Sequence, residues 1–212
     1  RASLPLPRAA PAIPTPPRFL VTIAPEHGGA DSGAALGGGL LEKDLTLAIA
    51  RRLRSELDQR GIGAVLTREG DTTLTSAQRA ATANASRSGV YIAIHVDSLG
   101  SGIRLYTSRL APAAIPANAF LPWDSAQSSF LDKSHNLVAA AITEFDKRRV
   151  RAIPLETGLR PLRNVAKPAI AAEIAPPPDS TDGLATIAYQ QAVASALAAA
   201  LATQRSALEV SP

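Results

Sequence analysis

The sequence predicts an α/β fold: a single domain with a mostly parallel mixed sheet flanked by helices on both faces. Three observations predict it. Short apolar runs alternate along the chain with segments of helical periodicity, the pattern of strands joined by crossover helices. A length of 212 residues is enough for one sizeable core and too short for two comfortable ones. With 46% hydrophobic but only 4% aromatic residues, that core must be built from Ala, Leu, Ile and Val, as is ordinary for helices packed on a sheet.

The first 17 residues, RASLPLPRAAPAIPTPP, hold too many prolines for helix or ladder and read as an extended linker over 1–17. The folded domain is expected over 18–204, with a frayed tail over 205–212. RFLVTIA is the first strand, ending in PEHGG. EKDLTLAIARRLRSELDQRG places Leu45, Ile49, Leu53 and Leu57 at i+4 steps, with Gly61 as a stop, which defines an amphipathic helix. Ile62 to Arg68 reads as the second strand, and TSAQRAATANASRSG as a helix with Thr75 or Ser76 at its N-cap. VYIAIHVD is apolar nearly throughout and reads as a strand buried on both faces. GIRLYTS offers a further strand.

From Arg109 to Ser134 the chain is irregular, with Pro112, Pro116, Pro122 and a central Trp123, and reads as a long surface loop. A helix is expected from about Ser125 to Arg148, where DKRRVR caps the helix end with cations. A proline-interrupted segment follows, then KPAIAAEIAPPP as the last strand and an alanine-rich closing helix from Asp182 to about Thr203.

Composition excludes several classes of function. The absence of Cys rules out disulfides and thiolate metal sites, so any metal needs His and carboxylate ligands. A net charge of +4 without a long basic run, and with few aromatics for base stacking, argues against nucleic acid. No apolar run approaches the roughly 20 residues of a membrane span. Neither a dinucleotide fingerprint, a phosphate loop nor a G-x-S-x-G elbow is present. The start on Arg rather than Met suggests a removed leader or a fragment, and a cysteine-free chain fits an oxidising envelope.

Two of the three histidines lie at or just beyond the carboxyl ends of predicted strands, the edge where open α/β sheets bind ligands. His27 follows the first strand and His95 ends the third, while Glu42 opens the first helix after a glycine-rich loop able to fold it back. Two imidazoles and a carboxylate suit zinc with a fourth position open for water, whose pKa the ion can lower from about 15.7 to about 7. Glu173 ends the last strand and is the candidate unligated carboxylate for moving protons during amide hydrolysis. His135, in the helix after the loop, reads as a surface residue.

The blocks TIAPEHGGADSGA, LLEKDLTLAIARRLRSEL, GAVLTREGDTTLTSAQRAATANA, VYIAIHVDS and LRNVAKPAIAAEIA together resemble the zinc-dependent N-acetylmuramoyl-L-alanine amidases. The likeness runs from about Arg18 to Thr203. It implies Zn2+ held by His27, Glu42 and His95, with Glu173 as the catalytic carboxylate. The implied substrate is peptidoglycan, cut between N-acetylmuramic acid and L-alanine in the periplasm or cell wall, with an activator protein as a further candidate partner. The chain departs from the family pattern at several neighbours. Ala24, Pro25 and Glu26 stand for Asp-Pro-Gly, so a supporting carboxylate is missing and another appears beside His27. Ala93 and Asp97 replace the Ser and Asn around the second histidine, and Ile174 and Ala175 replace Gly-Phe after Glu173. Two alternatives stand beside the amidase: a weakly active binding or regulatory module of the same fold, and a zinc carboxypeptidase cutting within the stem peptide.

Overall fold

The computed structural model describes residues 19–110, 125–178 and 181–209; the proline-rich linker and the centre of the 109–134 loop, Trp123 included, lie outside the described residues. In chain order the elements are β1 (Leu20–Pro25), α1 (Glu42–Asp58), β2 (Gly63–Leu66), α2 (Ser76–Ala85), β3 (Val90–Val96), β4 (Ile103–Ser108), α3 (Leu131–Asp146), β5 (Ala152–Thr157), β6 (Ala169–Ile174), α4 (Ile187–Thr203) and α5 (Arg205–Leu208). The strands form one sheet in the order β2-β1-β3-β6-β4-β5. Every pairing is parallel except that of β4 with β6.

Alternation along the strands divides the sheet into two faces. Val21 and Ile23 of β1, Ile92 and Ile94 of β3, Ile170 and Ile174 of β6 and Ile103 and Leu105 of β4 pack under α1, α3 and α4 in the main core. The intervening positions Ala24, Tyr91, Ala93, Ala169 and Ala171 form a second, smaller cluster with Ala80 and Ala83 of α2. His95, Glu173, Arg104 and Tyr106 share the parity of this thinner face. The Lys167 ammonium ties the amino ends of the strands together, donating to the hydroxyl and carbonyl oxygens of Ser86 and Ser88.

Four expectations need correction. The helix expected from Ser125 begins at Leu131, because the buried Gln127 amide donates to the carbonyls of Val165 and Lys167 and holds the preceding residues in turns. The closing helix begins at Ile187 rather than Asp182, since the Thr186 hydroxyl caps it by accepting from the Tyr189 N–H. The stretch between α3 and β6 contains a strand, β5, which tolerates Pro154 because it lies on the sheet edge and pairs only with β4. The tail from Arg205 starts with a helical turn whose Leu208 is buried. Gly89 permits that docking, as a Cβ there would stand 2.1 Å from the Leu208 carbonyl oxygen. Two finer expectations agree with the structure: Thr75 and Gln78 form a capping box on α2, and Arg148 after α3 donates to the Glu144 carbonyl.

Candidate metal centre

β1 delivers the chain to the carboxyl edge of the sheet, and two buried arginines then shape the turn. Arg79 donates to the carbonyls of Pro25 (2.7 Å) and His27 (2.6 Å), and Arg68 to those of Pro25 (2.9 Å) and Glu26 (3.1 Å). So held, His27 adopts φ 60°, a left-handed conformation that non-glycine residues seldom take. The glycines that follow allow close approach: a Cβ on Gly33 would lie 2.6 Å from Glu42 Oε2 and 2.7 Å from His27 Cδ2. Glu42 is the first residue of α1, which has no side-chain cap. Its buried carboxylate accepts from the backbone N–H groups of Ala34 (3.0 Å) and Val96 (3.1 Å), and so is aimed across the loop instead of at its own helix.

His27 Nε2 lies 3.1 Å from Glu42 Oε2, and His95 Nδ1 lies 3.2 Å from Glu42 Oε1. The two imidazole rings meet edge to face with centroids 5.7 Å apart. One donor atom from each of the three residues falls within 4.8 Å of the others. A tetrahedral ion with bonds of about 2 Å spaces its ligands by roughly 3.4 Å, so this set fits zinc with little adjustment. The nitrogen, nitrogen and oxygen donors are also the set that zinc prefers when no thiolate is available.

The second nitrogen of His27, Nδ1, lies 2.9 Å from Asp31 Oδ1. With one carboxylate on each nitrogen, His27 is pushed up to about 9, chiefly by the Glu42 hydrogen bond, with Asp31 adding to it against the opposing effect of burial. For Glu42 burial acts upward, but the hydrogen bonds from His27 and His95 outweigh it and hold the carboxyl well below the usual carboxylate range. Glu42 is therefore ionised at any working pH, as a metal ligand must be.

Glu173 stands beside His95, since the parallel register of β3 with β6 pairs the two residues. Both line a cavity of about 420 Å³ with Glu42, Asp97, Tyr106, Thr157 and Leu159. Glu173 is outside the three-residue cluster. Its oxygens accept from Arg104 Nη2 (2.6 Å) and from the Tyr106 hydroxyl (2.5 Å). All four residues singled out in the sequence thus come to one edge of the sheet.

The departures from the family pattern acquire partners. Glu26 turns away from the cluster and pairs with the buried Arg79 guanidinium at 3.1 Å, while Tyr91 donates to it at 3.3 Å. Asp31 supplies the carboxylate on His27 that the Ala24 position lacks. Asp97 pairs with Arg104 at 3.2 Å. Asp31, Arg68, Arg79, Arg104 and Tyr106 are missing from the sequence-based set of site residues. The His27/Asp31 spacing of four residues was a usable signal; the others depend on long-range packing and had none. His135 is exposed and contacts Thr107 and Glu156 at the edge of the sheet.

Residues 21–203 match the N-acetylmuramoyl-L-alanine amidase family. A relative from Bacillus subtilis, the germination-specific N-acetylmuramoyl-L-alanine amidase, is 30% identical over 200 residues, 84% of this chain and 76% of that protein. N-acetylmuramoyl-L-alanine amidase AmiC of Neisseria meningitidis is 34% identical over 108 residues, which is 49% of this chain but 26% of that longer protein. Among solved structures, N-acetylmuramoyl-L-alanine amidase AmiC2 of Nostoc punctiforme superposes with a TM-score of 0.66 at 26% identity, covering 89% of this chain and 98% of that one.

Proposed function

The chain belongs to the N-acetylmuramoyl-L-alanine amidase family, and from that premise we propose that it hydrolyses, in a zinc-dependent reaction, the amide between N-acetylmuramic acid and L-alanine of peptidoglycan. The observation that carries the reading is the convergence of His27, Glu42 and His95 within 4.8 Å, with Glu173 paired to His95 on the neighbouring strand.

In this reading His27, Glu42 and His95 would hold the ion, and Asp31 fixes the ring of His27 through its other nitrogen. When bound, zinc supplies a Lewis acid that polarises the amide carbonyl and activates water. Glu173 takes a proton from the attacking water and returns it to the departing L-alanine nitrogen, so one carboxylate serves as base and then as acid. The cavity beside it receives the lactyl-alanine junction. The site of action is the periplasm or cell wall, where the polymer lies, and an activator protein is a further candidate partner. Among the described residues no helix is long and apolar enough to cross a membrane.

The test combines metal content, release of dye from labelled sacculi and mass spectrometry of the products. One zinc per chain, chelator-sensitive release and peptides with a free N-terminal L-alanine are expected. Shortened stems on intact muropeptides would instead identify a carboxypeptidase. Zinc binding without release from any sacculus would identify a regulatory module. Glu173→Gln should retain zinc and lose turnover, and His27→Ala should lose both.

A further inference from the structure

β4 builds the wall of the cavity that faces Glu173. Arg104 and Tyr106 are two residues apart and so project from one face of the strand. The antiparallel pairing sets Arg104 directly opposite Glu173, and Tyr106 opposite Ala171. Arg104 Nη2 reaches Glu173 Oε1 at 2.6 Å, and the Tyr106 hydroxyl reaches Oε2 at 2.5 Å.

We propose that Arg104 and Tyr106 are positioning residues that fix the carboxylate plane of Glu173 for amide hydrolysis, an inference that rests on the catalytic reading of Glu173 above. A glutamate side chain has three rotatable torsions, and at 21% exposure in an open cavity its packing alone does not select one rotamer. Capture of the two oxygens by two different donors on one rigid strand leaves a single orientation. Each oxygen keeps a second lone pair free for water or the leaving nitrogen, so the clamp does not block proton transfer.

The clamp is itself braced. The same Nη2 of Arg104 contacts Asp97 Oδ2 at 3.2 Å and the Leu99 carbonyl at 3.3 Å, and Nη1 lies 3.1 Å from where a Cβ on Gly100 would stand. Asp97, one of the departures from the family pattern, thereby anchors Arg104. The chain of contacts Asp97, Arg104, Glu173, Tyr106 joins the ends of β3, β4 and β6. Burial and the Glu173 hydrogen bond push the Tyr106 phenol up to about 12, so it keeps its proton and remains a donor.

The test uses the zinc-loaded full chain carrying Arg104→Gln, Arg104→Lys or Tyr106→Phe, with a soluble N-acetylmuramoyl-peptide as substrate. Displacing a reacting group by about 1 Å can cost about 10²-fold, so kcat should fall about 10²-fold for Arg104→Gln and about 10-fold for Tyr106→Phe. KM and zinc content should stay at the wild-type values. Arg104→Lys should recover much of the loss, since an ammonium can still hold one oxygen. A readout independent of turnover is the crystal structure of the Arg104→Gln/Tyr106→Phe double variant, in which Glu173 should occupy more than one rotamer. Unchanged kcat, a change in KM alone, loss of zinc, or a single unaltered Glu173 rotamer would each overturn the clamp. Tyr106→Phe keeps the volume of the ring, so it reports even where Arg104→Gln folds poorly. The two proposals fail differently: a Glu173→Gln variant with wild-type turnover sinks the catalytic reading, whereas an inactive Glu173→Gln beside fully active Arg104→Gln and Tyr106→Phe sinks only the clamp.

Discussion

The two faces of the sheet divide the work of this molecule. One carries Val and Ile beneath α1, α3 and α4 and supplies most of the buried apolar surface. The other carries alanines and Tyr91 beneath α2 and, past the end of that helix, the polar groups of the site. The small side chains on the second face keep that layer thin and leave room for hydrogen-bonded carboxylates and imidazoles. The same alternation that places Ile92 and Ile94 in the main core sends His95 to the opposite side. Fold stability and site chemistry are thus interleaved residue by residue along β3 and β6, and substitutions on the two faces should have different signatures.

The largest effect on stability is expected from the site face. Arg79 is almost fully buried against Glu26. Arg79→Met leaves the carboxylate without its partner and should cost about 3–5 kcal/mol in urea denaturation. Because Arg79 also binds the His27 carbonyl, zinc affinity should fall in the same variant. A loss under about 1 kcal/mol would break the comparison, since the polar face would then have no share in holding the fold.

Asp31→Asn sharpens the comparison from the other direction. The side chain is exposed and touches the core nowhere, so the stability of the zinc-loaded protein, in which His27 is neutral, should hold, yet the His27 ring loses its charged anchor. Zinc affinity, read by competition with a chromophoric chelator, should drop about 10–100-fold. On the opposite face, Ile92→Val removes one buried methylene and should cost about 0.5–1.5 kcal/mol while leaving zinc affinity and turnover intact.

The same division explains what the sequence made legible. Strands β1, β3 and β6 announce themselves as short, nearly continuous apolar runs because both of their faces are buried, and helix α1 through the i+4 spacing of its leucines and isoleucine. Edge strand β5 escapes notice: it holds Pro154 and exposes Ile153 and Leu155, so no burial pattern marks it. The onset of α3 depends on Gln127 reaching carbonyls nearly 40 residues away, which no local window contains. In the site, His27, Glu42, His95 and Glu173 could be found from strand-end placement and family likeness. Arg79, Arg104 and Tyr106 could not, because each looks like an ordinary helix or strand residue until the β4–β6 register sets Arg104 opposite Glu173 with Tyr106 two residues on, and the packing of α2 brings Arg79 to Glu26.

The smallest effect expected is the pH response of His27, and its sign separates the metal-free from the metal-loaded protein. In protein stripped by a chelator, His27 holds its proton up to about 9 in the fold against an ordinary value of 6.5 in the unfolded chain. The stabilisation from its ion pairs is complete below about 6.5 and disappears as pH rises through about 9, so the denaturation midpoint should fall across that window. At 24% exposure the ring is partly screened by solvent, which keeps the shift modest. Zinc requires the neutral ring, so binding must displace the proton, and affinity should rise with pH over the same window. Calorimetric titration at pH 7.5 in two buffers of different ionisation enthalpy should show about one proton released per zinc. An affinity that ignores pH between 6.5 and 9, or an uptake of protons, would mean that His27 gives up no proton to the ion and is not one of its ligands.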